Sequence, residues 1–239
     1  MDEQTWLSCT DPKDMLTHVG VKPQRKLRLF ACACCYRIWD LITDDRCRDA
    51  VVVAERFADG LAKEKERAGA EHHAGQVLEE LEPEDLDEEL SPTVELKLRT
   101  KSAPFQAAGF AVELSGQVAW NGAGWAADAL GYLAMKGNPR ATARRAETRR
   151  KEEVVQCDLL RDIFGNPFRK VRVSAKWLTP KVVKFAHSIY DEGAFDRLSE
   201  LAEALEAVGC DNADLLSHLR SDGPHVKGCW ALDLVLGKS

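Results

Sequence analysis

The sequence lacks the short motifs that identify many common enzyme classes. It contains no Walker loop for nucleotide phosphates, no Gly-x-Ser-x-Gly nucleophile elbow and no His-Glu-x-x-His zinc motif. No repeat at a period of roughly 30 to 45 residues is convincing, so a solenoid is not favoured. Nothing in the sequence therefore requires an enzyme, and we assign no catalytic residue.

The sequence also lacks a long uninterrupted hydrophobic run. Its longest apolar region, residues 105–135, is rich in glycine and is interrupted by Glu113, Asn121 and Asp128. A membrane-spanning helix needs about 20 consecutive, mainly apolar residues. The first residues, Met-Asp-Glu-Gln, have neither the basic nor the apolar region of a secretory signal. We expect a soluble cytoplasmic protein without a membrane partner.

An excess of basic residues is missing as well. The chain has 33 Lys and Arg against 39 Asp and Glu, which gives a net charge of −6. General nucleic-acid binders neutralise phosphates with an excess of Lys and Arg. The composition therefore argues against such a binder, although a local basic face is compatible with it. With 239 residues, of which 45% are hydrophobic, the chain can form one large domain or two small ones.

The stretch at residues 23–42 is predicted to be the helix around which the fold is organised. Its charged residues lie near its two ends, and residues 29–36 carry no polar group except the hydroxyl of Tyr36. A helix that is apolar on all sides is a buried helix. The sequence therefore predicts an all-α fold, a multi-helix orthogonal or bundle-like array around a buried, cysteine-rich central helix.

Cysteines 32, 34 and 35 lie inside this predicted central helix, and the chain has eight cysteines in all. Without an export signal, we expect them to be reduced thiols that act as small hydrophobic residues. Cys32 and Cys35 have the Cys-x-x-Cys spacing of a redox pair. Such pairs normally lie at an accessible helix N-terminus, whereas an apolar environment raises the pKa of a thiol.

Changes in composition divide the chain. We predict an N-terminal helical unit at residues 1–78, an acidic linker at 79–104 and a C-terminal helical region at 105–239, which can pack with residues 1–78 as one domain. Eight of the eleven residues from Glu79 to Glu89 are acidic. They form either a solvated segment or a docking strip for a basic protein partner.

In the glycine-rich region we expect two packed helices with a break at residues 121–124.

Four residues near the C-terminus form the strongest metal-like pattern: Cys210, His218, His225 and Cys229. Two thiolates and two imidazoles suit tetrahedral zinc, although the spacing is not that of a standard finger or ribbon. We expect the last helix to begin at Gly223-Pro224, which would put His225 and Cys229 on the same face of it. The alternative is that these residues are ordinary core and surface residues without a metal.

The first half of the helix predicted at residues 139–164 is basic. A nucleic acid could contact it through Arg144, Arg145, Arg149 and Arg150. Glu147, Glu152 and Glu153 are spaced to pair with basic residues along the same helix. A solvated helix with internal ion pairs is therefore the preferred interpretation.

Four segments resemble a family of uncharacterised bacterial proteins that is expanded in planctomycetes. They are Trp-Leu-x-Cys-Thr-Asp-Pro at residues 6–12, Arg-Lys-Leu-Arg-Leu-Phe-Ala-Cys-Ala-Cys-Cys at 25–35, Cys-Asp-Leu-Leu-Arg-Asp-Ile-Phe-Gly-Asn-Pro-Phe-Arg at 157–169, and the tail at 189–238. The family has a longer insertion after Trp-Leu-Thr than the Pro180-Lys181 found here. The resemblance implies a cytoplasmic location and transfers no catalytic residue, because the family has no established activity.

These observations leave three hypotheses about function. The preferred one is a non-enzymatic cytoplasmic module that binds a protein partner or has a structural role, without a cofactor. The alternative is a zinc-stabilised helical module that contacts nucleic acid. The third hypothesis is a thiol-based redox protein or sensor.

Overall fold

The computed structural model describes residues 1–22, 24–81, 90–113 and 118–238. Over these ranges the regular secondary structure is entirely helical, which confirms the predicted all-α fold. No helix in the same ranges has the length and hydropathy needed to cross a membrane. The α-helices are α1 (Glu3–Ser8), α2 (Pro12–Val19), α3 (Gln24–Arg37), α4 (Asp45–Ala58), α5 (Glu64–Glu79), α6 (Pro92–Val112), α7 (Val118–Ala134), α8 (Thr142–Phe164), α9 (Pro180–Glu192), α10 (Leu198–Ala207), α11 (Ala213–Leu219) and α12 (Trp230–Leu236), and two 3₁₀ helices lie at Trp39–Leu41 and Phe195–Arg197.

The chain folds into two compact units. Residues 10–157 form one, which we call the large unit, and residues 1–9 together with 158–239 form the other, which we call the C-terminal unit. This division differs from the predicted one, because helix α6 begins at Pro92, inside the predicted linker, and packs against α4, α5 and α7. Of the acidic run, residues 82–89 lie outside the described residues, as does Pro23 of the predicted central helix.

Helix α3 is central to the large unit, where it packs against α4, α6 and α7. Residues 27–35 are all buried; the apolar pattern predicted this for residues 29–35 but not for Arg28. The helix ends at Arg37, earlier than expected, and a 3₁₀ turn follows it. Tyr36 is 41% exposed, so the buried stretch stops one residue before the predicted end of the apolar run.

Two buried arginines complete the hydrogen bonding at the C-terminal end of α6. Arg28 donates to the carbonyl oxygens of Ala111 (3.0 Å) and Glu113 (2.8 Å), and Arg67 donates to that of Val112 (2.8 Å). The last carbonyls of a helix have no intrahelical donor and carry partial negative charge. These contacts explain why Arg28, one of the charged residues near the start of the predicted central helix, lies in the core.

Helix α7 is continuous through residues 121–124, so the predicted break there is wrong. A Cβ atom at Gly122 would lie 3.5 Å from the carbonyl oxygen of Ala107 and 3.6 Å from Cβ of Ala31. Glycine thus permits both α6 and α3 to approach α7 closely. This packing outweighs the low helix propensity of glycine, which costs about 1 kcal/mol. The two expected helices exist, but α6 ends at Val112 and α7 begins at Val118.

In the C-terminal unit, helices α9 to α12 enclose a separate hydrophobic core. The N-terminal residues attach to it through Trp6, which is fully buried and whose indole N–H donates to the carbonyl of Gly165 at 3.0 Å. Arg161 in turn donates to the carbonyls of Trp6 and Cys9. These contacts fix the last turn of α8 within the unit. The core includes Ala186, Ile189, Leu198, Leu201, Leu205, Leu215, Leu219 and Leu232.

Candidate metal centre

Three of the four predicted metal ligands come together in the C-terminal unit, and an aspartate joins them. His218 lies at the end of α11, His225 in the next loop, Cys229 at the N-cap of α12 and Asp162 in the last turns of α8. One ligand atom of each residue lies within 4.8 Å of the other three. We call these residues the four-residue cluster. It is the only such group that the described residues contain.

Cys210 does not belong to the four-residue cluster, so the structure does not bring this predicted ligand together with the other three. It follows α10, is buried, and burial raises the pKa of its thiol. Asp162 takes the fourth position instead. Sequence reasoning missed Asp162 because it lies far upstream in a helix with many charged residues, where one aspartate gives no distinct signal. Whether a metal binds the cluster stays a prediction.

The route by which His225 and Cys229 meet also differs from the prediction. They do not share a helix, because α12 begins only at Trp230 and His225 lies in the preceding loop. At Gly223, φ is +90°, and a Cβ atom there would lie 2.8 Å from the backbone nitrogen of His225. Glycine is therefore required for the loop conformation that turns His225 towards Asp162.

Three of the six distances between ligand atoms in the cluster are slightly shorter than those of a tetrahedral metal site, and the others are at most 4.8 Å. Oδ1 of Asp162 lies 2.8 Å from Nδ1 of His225 and 3.1 Å from Nε2 of His218. The same Nε2 atom of His218 lies 3.2 Å from Sγ of Cys229. Zinc bonds of about 2.0 to 2.3 Å place tetrahedral ligand atoms about 3.3 to 3.7 Å apart. The cluster would need to expand by only a few tenths of an ångström along these three edges.

Two of the heteroatoms that point away from the cluster centre are held by the backbone. Oδ2 of Asp162 accepts a hydrogen bond from the N–H of Val226 at 3.0 Å. Nε2 of His225 lies 3.0 Å from the carbonyl oxygen of Ser221, which only accepts, so this nitrogen carries a hydrogen. Such outer contacts orient ligands and select the histidine tautomer in metal sites. The lone pair of Nδ1 is thereby directed into the cluster.

A positive species is needed between Nδ1 of His225 and Oδ1 of Asp162, since each would otherwise present a lone pair at 2.8 Å. Without a metal, this species is a second proton on the imidazole. Burial disfavours the charged ring, but the hydrogen bond and charge of Asp162 prevail and raise the pKa of His225. A proton and a metal ion would therefore compete for the same position.

The charges of the cluster match a divalent cation. Burial alone would raise the pKa of Asp162, yet hydrogen bonds from His218 and His225 hold the pKa below its usual value. Burial, followed by the charge of Asp162, raises the pKa of Cys229 well above that of an ordinary thiol. A bound cation would reverse this effect and stabilise the thiolate. One carboxylate and one thiolate would then balance two positive charges.

An aromatic ring supports the cluster from the side of α12. The ring of Trp230 lies 5.0 Å from that of His218, measured between centroids. Trp230 also packs on Gly165, where a Cβ atom would lie 2.9 Å from Cγ of the indole. Gly165 follows the end of α8 with φ of +67° and thus leaves room for this ring three residues after Asp162.

Ser221, His225 and Asp162 have the composition of a hydrolytic triad, but their hydrogen bonds do not support that role. Nε2 of His225 lies 3.3 Å from Oγ of Ser221, while the Ser221 hydroxyl donates to the carbonyl of His218 at 2.7 Å. Because Nε2 already carries a hydrogen that faces a carbonyl, it cannot accept the proton of the serine. The geometry does not indicate a serine hydrolase.

The predicted basic site on α8 lies in the large unit, and two of its four arginines are engaged there. Arg145 and Arg149 each bind a carboxylate oxygen of Asp128 on α7, at 2.7 and 2.8 Å. Arg149 also pairs with Glu153, as expected for a helix with internal ion pairs. Arg144 and Arg150 are exposed. The four arginines therefore do not form a row of unengaged cations, and nucleic-acid contact through them stays a prediction.

Comparison with known proteins gave no match: no family model, no curated protein and no solved structure matches this chain. The resemblance to the planctomycete family therefore stays a prediction.

Proposed function

We propose that this protein is a non-enzymatic helical module whose C-terminal unit is stabilised by one structural Zn²⁺ ion. The ligands would be Asp162, His218, His225 and Cys229. The observation that carries this proposal is the convergence of four ligand atoms within 4.8 Å of one another. Their chemistry, one oxygen, two nitrogens and one sulfur, belongs to the set that zinc uses in proteins.

The ligand types favour zinc over the hard cations. Mg²⁺ and Ca²⁺ prefer oxygen ligands at six or more positions, whereas a thiolate and two imidazoles suit a softer, four-coordinate ion. The cluster supports a structural role because four protein side chains would fill a tetrahedral coordination shell. A catalytic zinc site keeps one position for water or substrate.

Burial supports the same conclusion. Cys229 is fully buried, and the side chains of Asp162, His225 and His218 are 2%, 8% and 19% exposed. An ion held among them would connect the end of α8 to α11, to the loop that follows and to the start of α12. Because such a site does not exist in the unfolded chain, the free energy of metal binding would contribute directly to folding.

The test is the metal content of the full-length protein, purified without a histidine tag and measured by inductively coupled plasma mass spectrometry. We expect about one zinc per chain, and we expect Cys229→Ala to lose it. Cys210→Ala is the matched control, because Cys210 is also a buried cysteine of the C-terminal unit but lies outside the cluster. This variant should retain the zinc of the wild type.

Cobalt substitution provides a second readout that does not depend on purification history. Co²⁺ bound to the wild type should show the ligand-field bands of a tetrahedral site and a thiolate-to-cobalt charge-transfer band. Cys229→Ala should lack the charge-transfer band and Cys210→Ala should show it. The proposal is wrong if wild-type protein takes up neither ion after reconstitution, or if the two variants behave alike while circular dichroism shows both to be folded.

A further inference from the structure

Charge is strongly segregated within the C-terminal unit. Residues 163–190 contain six Lys or Arg and no Asp or Glu, in a chain whose net charge is −6. Residues 191–222, in contrast, contain nine Asp or Glu and two Arg. Both of these arginines, Arg197 and Arg220, pair with acidic residues of the same segment, Glu200 and Glu206. The basic stretch is thus left without acidic residues of its own.

Five side chains carry most of this positive charge, and we call them the basic strip. All five are exposed, and within the described ranges none of them forms an ion pair. The sixth cation, Arg169, pairs with Glu3. The strip runs from the segment after α8 into the first two turns of α9 and comprises Lys170, Arg172, Lys176, Lys181 and Lys184.

The apolar residues between these cations face the other way. Val171, Val173, Trp177 and Leu178 pack against the core of the unit, and Val182 is part of it. The indole of Trp177 donates to the carbonyl of Gly209 at 3.1 Å, which fixes the segment on α10 and its loop. The backbone is therefore anchored on one side while the cations project from the other.

Helix stability does not account for the strip. Lys181 lies in the first turn of α9, where the helix dipole disfavours a cation, and this turn contains no acidic residue. Like charges close together along the chain also repel one another. The basic strip is thus destabilised by the helix dipole and by repulsion between its own charges, and it has no intramolecular ion pairs that would offset this. Such a strip is suited to binding a polyanionic ligand.

We propose that the basic strip binds the phosphate backbone of a nucleic acid. A linear series of exposed cations matches a polymer with regularly spaced negative charges, and such contacts require no sequence-specific pocket. An anionic membrane is less well matched, because the apolar side chains within the strip are turned into the core and are not available for insertion into lipid. This proposal does not depend on the proposed zinc ion.

The test measures the binding of full-length protein to labelled single-stranded DNA, single-stranded RNA and duplex DNA by fluorescence anisotropy over a series of salt concentrations. We expect binding at low salt that weakens linearly in log affinity against log salt. The variant Lys170→Gln/Arg172→Gln/Lys176→Gln should bind about tenfold more weakly or worse. Its salt slope on single strands should fall by about 2, since each phosphate contact contributes about 0.7. Lys181→Gln/Lys184→Gln should weaken binding through the same strip.

The matched control is Lys97→Gln/Lys101→Gln/Arg140→Gln, which removes three exposed cations from the large unit outside the arginines predicted on α8. It should bind within about twofold of the wild type, because sequence-independent contacts act locally over about a Debye length. Vesicles with and without anionic lipid are tested in parallel. The proposal is overturned if wild-type protein binds no nucleic acid at low salt, if the control loses as much affinity as the strip variants, or if only anionic vesicles bind.

Discussion

Asp162 fixes the arrangement of the four-residue cluster. The backbone N–H of Val226 holds one of its carboxylate oxygens, so the other oxygen faces both His218 and His225. The side chain is 2% exposed, and an unpaired carboxylate at such a site would be strongly destabilising. The site is thus built around one buried charge that either two imidazoles or a metal ion must balance.

Gly165 provides a test of the packing beside this carboxylate. In Gly165→Ala the new methyl group would meet the ring of Trp230 at 2.9 Å in a backbone conformation with φ of +67°. We expect the free energy of unfolding of the C-terminal unit to fall by about 2 to 4 kcal/mol, measured by urea denaturation followed by tryptophan fluorescence.

Gly193→Ala is the control for this prediction. Gly193 ends α9 with nearly the same φ, +66°, but a Cβ atom there would have no neighbour within 4 Å. We expect only the conformational cost of about 1 kcal/mol. If the two substitutions lowered the free energy of unfolding equally, the clash with Trp230 would not contribute to the effect of Gly165→Ala.

At the scale of elements, helix α3 is the segment whose burial follows most directly from its apolar sequence, and its cysteines share that burial. Its three cysteines are all at most 1% exposed, and Sγ of Cys32 lies 3.7 Å from the carbonyl oxygen of Val51. Burial raises the pKa of Cys34 and Cys35 well above that of an ordinary thiol. Thiolates are the reactive species, so these residues have the environment of structural cysteines.

Thiol labelling tests this interpretation of α3. In native buffer, iodoacetamide followed by peptide mass spectrometry should modify Cys9, which is only partly buried, much faster than Cys32, Cys34 or Cys35. The labelling of α3 should increase only at denaturant concentrations that unfold the large unit. Rapid native modification of Cys32 or Cys35 would contradict the structural interpretation and restore the redox hypothesis.

At the scale of the whole molecule, two compact units imply that unfolding need not be a single transition. The proposed ion would stabilise the C-terminal unit alone, because all four candidate ligands belong to it. The two units also differ in what they offer a partner. The basic strip belongs to the C-terminal unit, and the described part of the acidic run belongs to the large unit.

Metal linkage provides the corresponding prediction. At free zinc about 100 times its dissociation constant, the C-terminal unit should gain about 2.7 kcal/mol, so that calorimetry shows one transition moving upwards with zinc and downwards with EDTA. The transition of the large unit should stay in place. In Cys229→Ala neither transition should respond. A zinc-independent profile of the wild type would contradict the linkage.

Helix content and the buried central helix could be predicted from the sequence, because they depend on local periodicity and capping. The apolar run predicted at residues 29–36 is an example, since it lies in α3 and is buried as far as Cys35. The same local rules account for the start of α9, where Thr179 is the N-cap and Pro180 the first helical residue. The helix break expected at residues 121–124 is not observed, because packing against α6 and α3 keeps Gly122 helical. Local propensity was outweighed where another helix came close.

For the candidate site, the sequence identified the residue types but not the complete set. His218, His225 and Cys229 were recognisable because they are few and close in the chain, whereas Asp162 was not, because its significance arises only from a long-range contact. Cys210 has the right chemistry, yet the turn after α10 leaves it outside the cluster. Local physics thus determines which segments form helices, and only the packing of distant segments determines which side chains meet.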